Sequence, residues 1–322
     1  MRARQCRERA RARAARTAAA KAQRAALREK LGALRDRVIQ ASTRERYLAH
    51  TKAFFLWVSR TGRVVPATVE DFDTLCCAWA EHLWHEGDPK CMLNNSLCGL
   101  AHFCPGLRSK LNGAWRLYKA WGRSEPVTRA PPLTVGMVQA MAGHFASNRL
   151  PSLAVMTLIA HHCMLRTCEL FELRTGDVTF LPGRALLVLR ETKMGQRVGI
   201  HQATTVADEW LLGKLRTLHA RTRRGCTLLG VSPAEFRKHW RLARIAVGVP
   251  PKYTPYSLRR GGATCMFQHC GSFDQVADKG RWGSLAASRL YITTALAEMA
   301  SDAELNAMQP KLLACARQLS QL

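Results

Sequence analysis

A mainly helical chain with a small β-sheet is what the sequence predicts: an N-terminal helical domain followed by an α+β domain. Three observations lead there. Tyr47, Thr51, Phe54, Phe55 and Val58 recur at helical spacing, and apolar stretches around Leu93–Phe103 and Leu107–Trp121 suggest further helices. The runs DVTFL and ALLVLRE are strand-like and are split by Pro182-Gly183. Between the two regions lies SEPVTRAPPLT, Ser124 to Thr134, with three prolines and no apolar periodicity, which reads as a linker. A length of 322 residues suits about two domains.

In chain order, residues 1–37 form a low-complexity Ala/Arg arm. Such a tract is helical on DNA or disordered off it, and also suits a nuclear import signal or an organelle transit peptide; the lack of serines argues against the last. Ser42-Thr43-Arg44-Glu45 reads as a capping box, with Gly62 ending its helix. Thr68-Val69-Glu70-Asp71 starts another, which ends near Gly87-Asp88-Pro89. Residues 38–123 are therefore expected as a small helical domain whose Trp and Phe stripe is core rather than a base-stacking platform. Beyond the linker at 124–134, Thr134 caps a helix to about Phe145. Pro151–Leu173 reads as one buried helix. ETKMGQRVGI resembles a hairpin with Lys193 to Gln196 at its tip, and Thr205–Thr222 reads as helical. Ser232-Pro233-Ala234-Glu235 is a capping box with proline at the first helical position. Helices near Phe273–Lys279 and from Ser284 complete a domain at 135–295, and 296–322 forms a C-terminal helical segment.

The formal net charge is +26. It is spread as +10 over residues 1–37, +4 over 38–130 and +12 over 131–322, so the folded C-terminal part is itself basic. A polyanionic partner, most often nucleic acid, accounts for such a balance. No apolar run reaches 18 residues, so no membrane span is expected. The 12 cysteines include no C-x-x-C pair, and the N-terminus is too charged for a secretory signal. Reduced thiols in an intracellular protein are the expectation. Cys91, Cys98, His102 and Cys104 fit no tight zinc motif.

The residues with chemical promise lie in the second half. TPYSLRRGGAT, Thr254 to Thr264, reads as a helix capped by Thr254 with Pro255 first, placing Arg259 and Arg260 in its opening turns. Helix starts bind anions, and arginine adds bidentate donors. Arg166, late in the buried helix, precedes Glu169 by three residues, and a buried arginine needs such a partner. Trp282 follows Arg259 by 23 residues and Tyr291 follows Trp282 by 9. Read singly, each has an ordinary alternative: a surface helix with solvated arginines, a structural ion pair, a loop lysine at 193, a packing tyrosine at 291.

Together these residues resemble the catalytic domain of tyrosine recombinases, the phage-integrase family. That family's pattern is R-x-x-E/D-L, a hairpin lysine, H-x-x-R, a His or Trp, and a tyrosine nine residues later. Here it reads as Arg166 with Glu169-Leu170, Lys193, Tyr256-x-x-Arg259, Trp282 and Tyr291. SLRRGGAT and GRWGSLAASRLYI look closest to recombinases of eukaryotic mobile elements. Residues 40–125 look more weakly like the family's core-binding domain, a SAM-like DNA-binding module.

The resemblance implies a site-specific recombinase or integrase that breaks and rejoins double-stranded DNA. Arg166 and Arg259 would hold the scissile phosphate, and Tyr291 would attack it to give a 3′-phosphotyrosyl DNA. Lys193 would protonate the 5′-leaving oxygen. Trp282 would donate its indole N–H to a non-bridging oxygen, and Glu169 would support Arg166. Tyr256 stands where the family most often has histidine and would hydrogen-bond the phosphate or the nucleophile. Arg44, Arg46, Lys52, Arg197 and Arg260 would contact DNA. The resemblance further implies a homotetramer on DNA, no cofactor, no metal and no membrane partner, with a nuclear location in a eukaryotic cell. It implies exchange of a C-terminal segment between neighbouring protomers, although the apolar residues of 295–322 suit packing on their own domain equally well. The alternative is a catalytically impaired DNA-binding derivative. A type IB topoisomerase shares the catalytic design, but the separate helical domain and the length favour a recombinase.

Overall fold

The structure, a computed structural model, describes residues 2–126, 129–190, 202–289, 292 and 303–322, with backbone alone for 2–16, 303–309 and 321. The chain divides into two compact units, Met1–Thr128 and Arg129–Leu322.

The first unit opens with α1 (Arg2–Leu31), an Ala/Arg helix whose last two turns are exposed. Alanine and arginine are strong helix formers, so the segment is helical by its own propensity. Four helices follow: α2 (Ala41–Arg60), α3 (Val69–His85), α4 (Cys91–Phe103) and α5 (Asn112–Ser124). Their facing stripes build one core around Phe54, Trp57, Phe72, Trp79, Leu93, Leu97 and Trp121. Phe54 meets Phe72 and Trp79 edge-on, so the aromatic stripe is interior packing. Thr68 caps α3 by accepting from the Asp71 N–H. The expected box at Ser42 is not formed: α2 begins at Ala41 behind Gln40, with no side-chain cap. Asp73 reaches instead to the start of α5, accepting from the Gly113 and Ala114 N–H groups.

The second unit begins with a strap, residues 129–134. The stretch read as linker is built into this unit at its end: Pro131, Pro132 and Leu133 are buried, and the Leu133 N–H donates to Ser257 O. Thr134 caps α6 (Val135–Ser147), accepting from Met137 N. The apolar run that follows is not one helix. It forms α7 (Pro151–His162) and α8 (Thr167–Glu172), separated where Met164 takes a left-handed φ of 49°. Strands β1 (Val178–Leu181), β2 (Arg184–Leu189) and β3 (Gln202–Val206) form an antiparallel sheet in that order. Pro182 and Gly183 make the first turn, with Gly183 at φ +69°. Val206 completes β3, so the next helix, α9 (Glu209–Arg221), starts after Asp208 rather than at Thr205. Its sheet-facing side and Ala185, Leu187 and Leu189 join the main core.

The capping box of α10 (Pro233–Val247) is formed in both directions between Ser232 and Glu235. After it come α11 (Ser257–Cys270) and α12 (Phe273–Gly280). The final helix, α13 (Ala303–Arg317), packs on α6 of its own unit. The backbones touch there: a β-carbon on Gly143 would meet Cys315 O at 1.9 Å.

Helix α11 is enclosed on all sides from Ser257 to Thr264. It starts three residues after Thr254, whose N–H donates to the Ser257 hydroxyl instead of the threonine acting as cap. Two glycines explain the close fit. β-Carbons on Gly261 and Gly262 would meet Leu133 O at 2.1 Å and His161 O at 2.0 Å. Both obstacles are backbone, so neither yields by a rotamer change. Gly262→Ala is therefore expected to destabilise the second unit by about 2–3 kcal/mol, the upper range for overpacking, and to lower Tm by several degrees in a thermal melt.

His161, at the end of α7, adds a pH response. Burial and the neighbouring His162 push its imidazole down to about 4, against a weaker opposing hydrogen bond with the Leu133 backbone. Its ordinary value is about 6.5, so between those limits the unfolded chain binds the extra proton. Stability is complete above pH 6.5 and is lost as pH falls towards 4, by about 3 kcal/mol from this residue. Denaturant midpoints at pH 7 and pH 4.5 should differ accordingly, and His161→Gln should flatten that difference.

Candidate active site

The site forms where α7 breaks, α11 begins and α12 ends. Arg166 is the N-cap residue of α8, not a late residue of a long helix. Its backbone N–H donates to Glu169 Oε2 at 2.8 Å and its Nη1 donates to Oε1 at 2.6 Å. The i,i+3 spacing places both contacts on one helical turn. Glu169 is 3% exposed. Burial alone would raise its carboxyl; Arg281, the Arg166 N–H and the Arg166 guanidinium together outweigh burial and hold it below the usual carboxylate range.

Arg259 enters from the first turn of α11 and is 1% exposed. Its guanidinium donates to Met164 O and Gly280 O and lies 4.5 Å from the centre of the Trp282 ring. Burial, then the like charges of Arg166 and Arg281, lower it to about 10, so it remains protonated at neutral pH. Trp282 reaches this position because Gly280 is bare: a β-carbon there would lie 1.7 Å from the indole.

Arg281 was not singled out by the sequence reading. Its Nη2 donates to Glu169 Oε2 at 2.8 Å and to Met164 O at 3.2 Å. Its Nη1 donates to Cys163 O and Lys279 O, each at 3.1 Å. The chain takes a left-handed φ of 57° at Arg281, which drops this side chain inward next to Trp282. Met164 O thus serves two arginines, and two of the four described non-glycine residues with left-handed backbone, Met164 and Arg281, stand side by side in the site. Non-glycine residues in that region cost of order 1 kcal/mol or more and concentrate at functional sites. The only legible signal for Arg281 is its place between Gly280 and Trp282.

Three guanidiniums therefore surround one carboxylate, and the cluster carries two positive charges in excess of it. Such a concentration calls for an anion, and the 19% exposure of the Arg166 side chain gives it an outward face. Tyr256, 36% exposed at the start of α11, lies close enough to act electrostatically on Arg259. Arg166, Glu169, Arg259, Trp282 and Tyr256 are thus brought together. Lys193, Arg197 and Tyr291 lie outside the described residues.

Two expected DNA contacts read differently in the fold. Arg260 is 1% exposed, and its Nη1 donates to Ala130 O, so it pins the strap to α11 instead of facing a ligand. Arg44 is exposed but engages Asp36 Oδ1 at 2.6 Å. Arg46 and Lys52 are exposed on α2. Among the described residues no group of three or more His, Cys, Asp or Glu is arranged to hold a metal, and no helix is long and apolar enough to cross a membrane.

No protein-family model matches the chain, and no curated protein matches it significantly. Solved structures do. A substituted form of the Tn1549 transposon integrase in complex with transposon right-end DNA is similar at a TM-score of 0.58 and 11% identity, over 82% of this chain and 94% of that one. A differently substituted form of that integrase in complex with a circular-intermediate DNA is similar at 0.51 and 14% identity, over 71% and 85%. XerA recombinase is similar at 0.42 and 16% identity, over 82% and 92%. The mainly helical build with one three-stranded antiparallel sheet is the tyrosine-recombinase catalytic-domain fold.

Proposed function

We propose that the chain is a site-specific DNA recombinase or integrase that breaks and rejoins DNA through a 3′-phosphotyrosyl intermediate. The observation that supports this reading best is the Arg166–Arg259–Arg281 cluster around Glu169, beside Trp282. Fixed positive charge at that point stabilises the additional negative charge of a phosphorane. Arg166 and Arg259 take the scissile phosphate, and the Trp282 indole N–H donates to one of its oxygens. Tyr291, nine residues after Trp282, releases its phenolic proton to water, attacks phosphorus and expels the 5′-oxygen, which Lys193 protonates. Tyr256 hydrogen-bonds the phosphate. A reference value near 10 makes it a poor base at neutral pH, so it moves no proton. The reaction conserves bond energy in the phosphotyrosine, and a 5′-hydroxyl reverses it. The partner is double-stranded DNA, held by the basic arm and the +12 charge of residues 131–322, with four protomers assembled on two sites. The motifs SLRRGGAT and GRWGSLAASRLYI point to a mobile element of a eukaryote and to work in the nucleus.

The near-complete burial of Arg259, its donors already on Met164 O and Gly280 O, favours a second reading: a DNA-binding derivative with impaired chemistry. One experiment separates the two. The full chain is incubated with nicked duplex DNA whose cleaved end diffuses away, then run on a denaturing gel. A covalent adduct that maps to the Tyr291 peptide supports the recombinase, and DNA retention without adduct supports the derivative.

A further inference from the structure

The Glu169 carboxylate is shared. Oε1 accepts from Arg166 Nη1, and Oε2 accepts from both the Arg166 backbone N–H and Arg281 Nη2. Arg281 comes from the far end of α12, 112 residues along the chain, and is anchored by the carbonyls of Cys163, Met164 and Lys279. With four acceptors around one planar fork, its guanidinium is fixed in place, and so is the carboxylate oxygen it holds. The charged and titratable groups facing Glu169 are Arg166 on its own turn, Arg281 after α12, Arg259 on α11 and the adjacent Cys168.

This arrangement has two effects on Arg166. The first is aim: Glu169 cannot swing with Arg166, because its second oxygen is tethered elsewhere. The second is charge. A lone carboxylate would neutralise a lone arginine, whereas one shared between two arginines leaves positive charge at Arg166. We propose that Arg281 is a positioning residue, holding the Glu169 carboxylate so that Arg166 keeps both its aim and its charge for a scissile phosphate. This rests on the DNA-cleavage reading above. A side chain that merely fastened α7 to α12 would satisfy the three carbonyls alone; the fourth bond, to the carboxylate that orients Arg166, is what that simpler role does not need.

The test is single-turnover cleavage of nicked DNA at saturating concentration, across pH, with full-length chains. Arg281→Gln is expected to cleave about 100-fold more slowly with DNA affinity nearly unchanged, the size of loss that follows a small misplacement of a reacting group. Its rate should also fall off at higher pH on the acid side than the parent's, because Glu169 loses its strongest charge partner and takes up a proton sooner. Glu169→Gln should remove that acid-side fall, and the double variant should be no slower than the slower single variant. A parent-like rate and pH profile in Arg281→Gln, or a double variant slowed by the product of both effects, overturns the proposal. If Arg281→Gln fails to fold, Arg281→Lys decides: it keeps the charge near Glu169 without the fork, and an intermediate rate supports the role while a parent-like rate overturns it. A parent chain that binds DNA and forms no adduct defeats the cleavage reading itself, and this proposal with it; a cleaving parent with an unaffected Arg281→Gln defeats this proposal alone.

Discussion

Tyr291→Phe is expected to bind nicked DNA as tightly as the parent chain and to form no covalent adduct. The substitution removes one oxygen atom and no charge at neutral pH, since a phenol titrates near 10. Without that oxygen no bond to phosphorus forms, so the loss is complete rather than partial, unlike the loss of a stabilising contact. Tyr256 is a competitor near the arginines; it is the N-cap of α11, three residues from Arg259. Gel retardation gives the binding, and denaturing electrophoresis with peptide mapping gives the adduct. Persistent adduct in Tyr291→Phe, or a DNA-linked peptide containing Tyr256, means that the nucleophile is misassigned.

The second large effect is at Arg259. Arg259→Ala is expected to slow cleavage by about 10³-fold at saturating DNA, the usual cost of removing one donor aimed at developing charge. It should also lower stability, because Gly280 O loses its guanidinium donor, Met164 O keeps only that of Arg281, and space opens under Trp282. Each buried acceptor left bare costs about 1–3 kcal/mol. Arg259→Lys keeps a charge but not the fork that spans two carbonyls, so its rate should lie between the two while its melt stays nearer the parent's. Rates are compared per folded molecule, from the amplitude of a thermal melt. An Arg259→Ala chain that cleaves within tenfold of the parent would remove Arg259 from the chemistry.

Much of this was legible in the sequence where the controlling contact is short-range. Thr68, Thr134 and the Ser232–Glu235 pair cap helices within three residues of themselves, and Pro182-Gly183 turns β1 into β2 without help from elsewhere. Arg166 with Glu169 is one helical turn, so their pairing followed from spacing. The failures have the opposite cause. The break between α7 and α8 rests on left-handed backbone at Met164, a residue type that carries no signal for it; the carbonyl it exposes is stabilised by Arg259 and Arg281, 95 and 117 residues away. Arg281 became a site residue only through that same distant junction. Arg260 looked like a DNA contact because paired arginines usually lie on a wet helix face, and α11 has no wet face from Ser257 to Thr264. Ser42 lost its cap to Gln40 because the chain enters α2 two residues earlier than the motif suggests.

The segment Arg259-Arg260-Gly261-Gly262 points in every direction of one helical turn. Arg259 faces the carboxylate cluster, Arg260 holds the strap at Ala130, Gly261 abuts Leu133, and Gly262 abuts the end of α7. A helix turn ordinarily offers drift at one or two outward positions, where replacements are silent. This turn offers none, and its four positions fail for four separate reasons: chemistry, attachment of the strap, and two backbone collisions. A complete substitution library read by growth or by cleavage should therefore show an unbroken intolerant block at 259–262. Sorting the same library by folding alone should release Arg259 first, since conservative replacements there forfeit reactivity before they forfeit structure. Divergent homologues would then be expected to decay in activity through position 259 while keeping the two glycines, leaving proteins that still fold around an empty reaction centre.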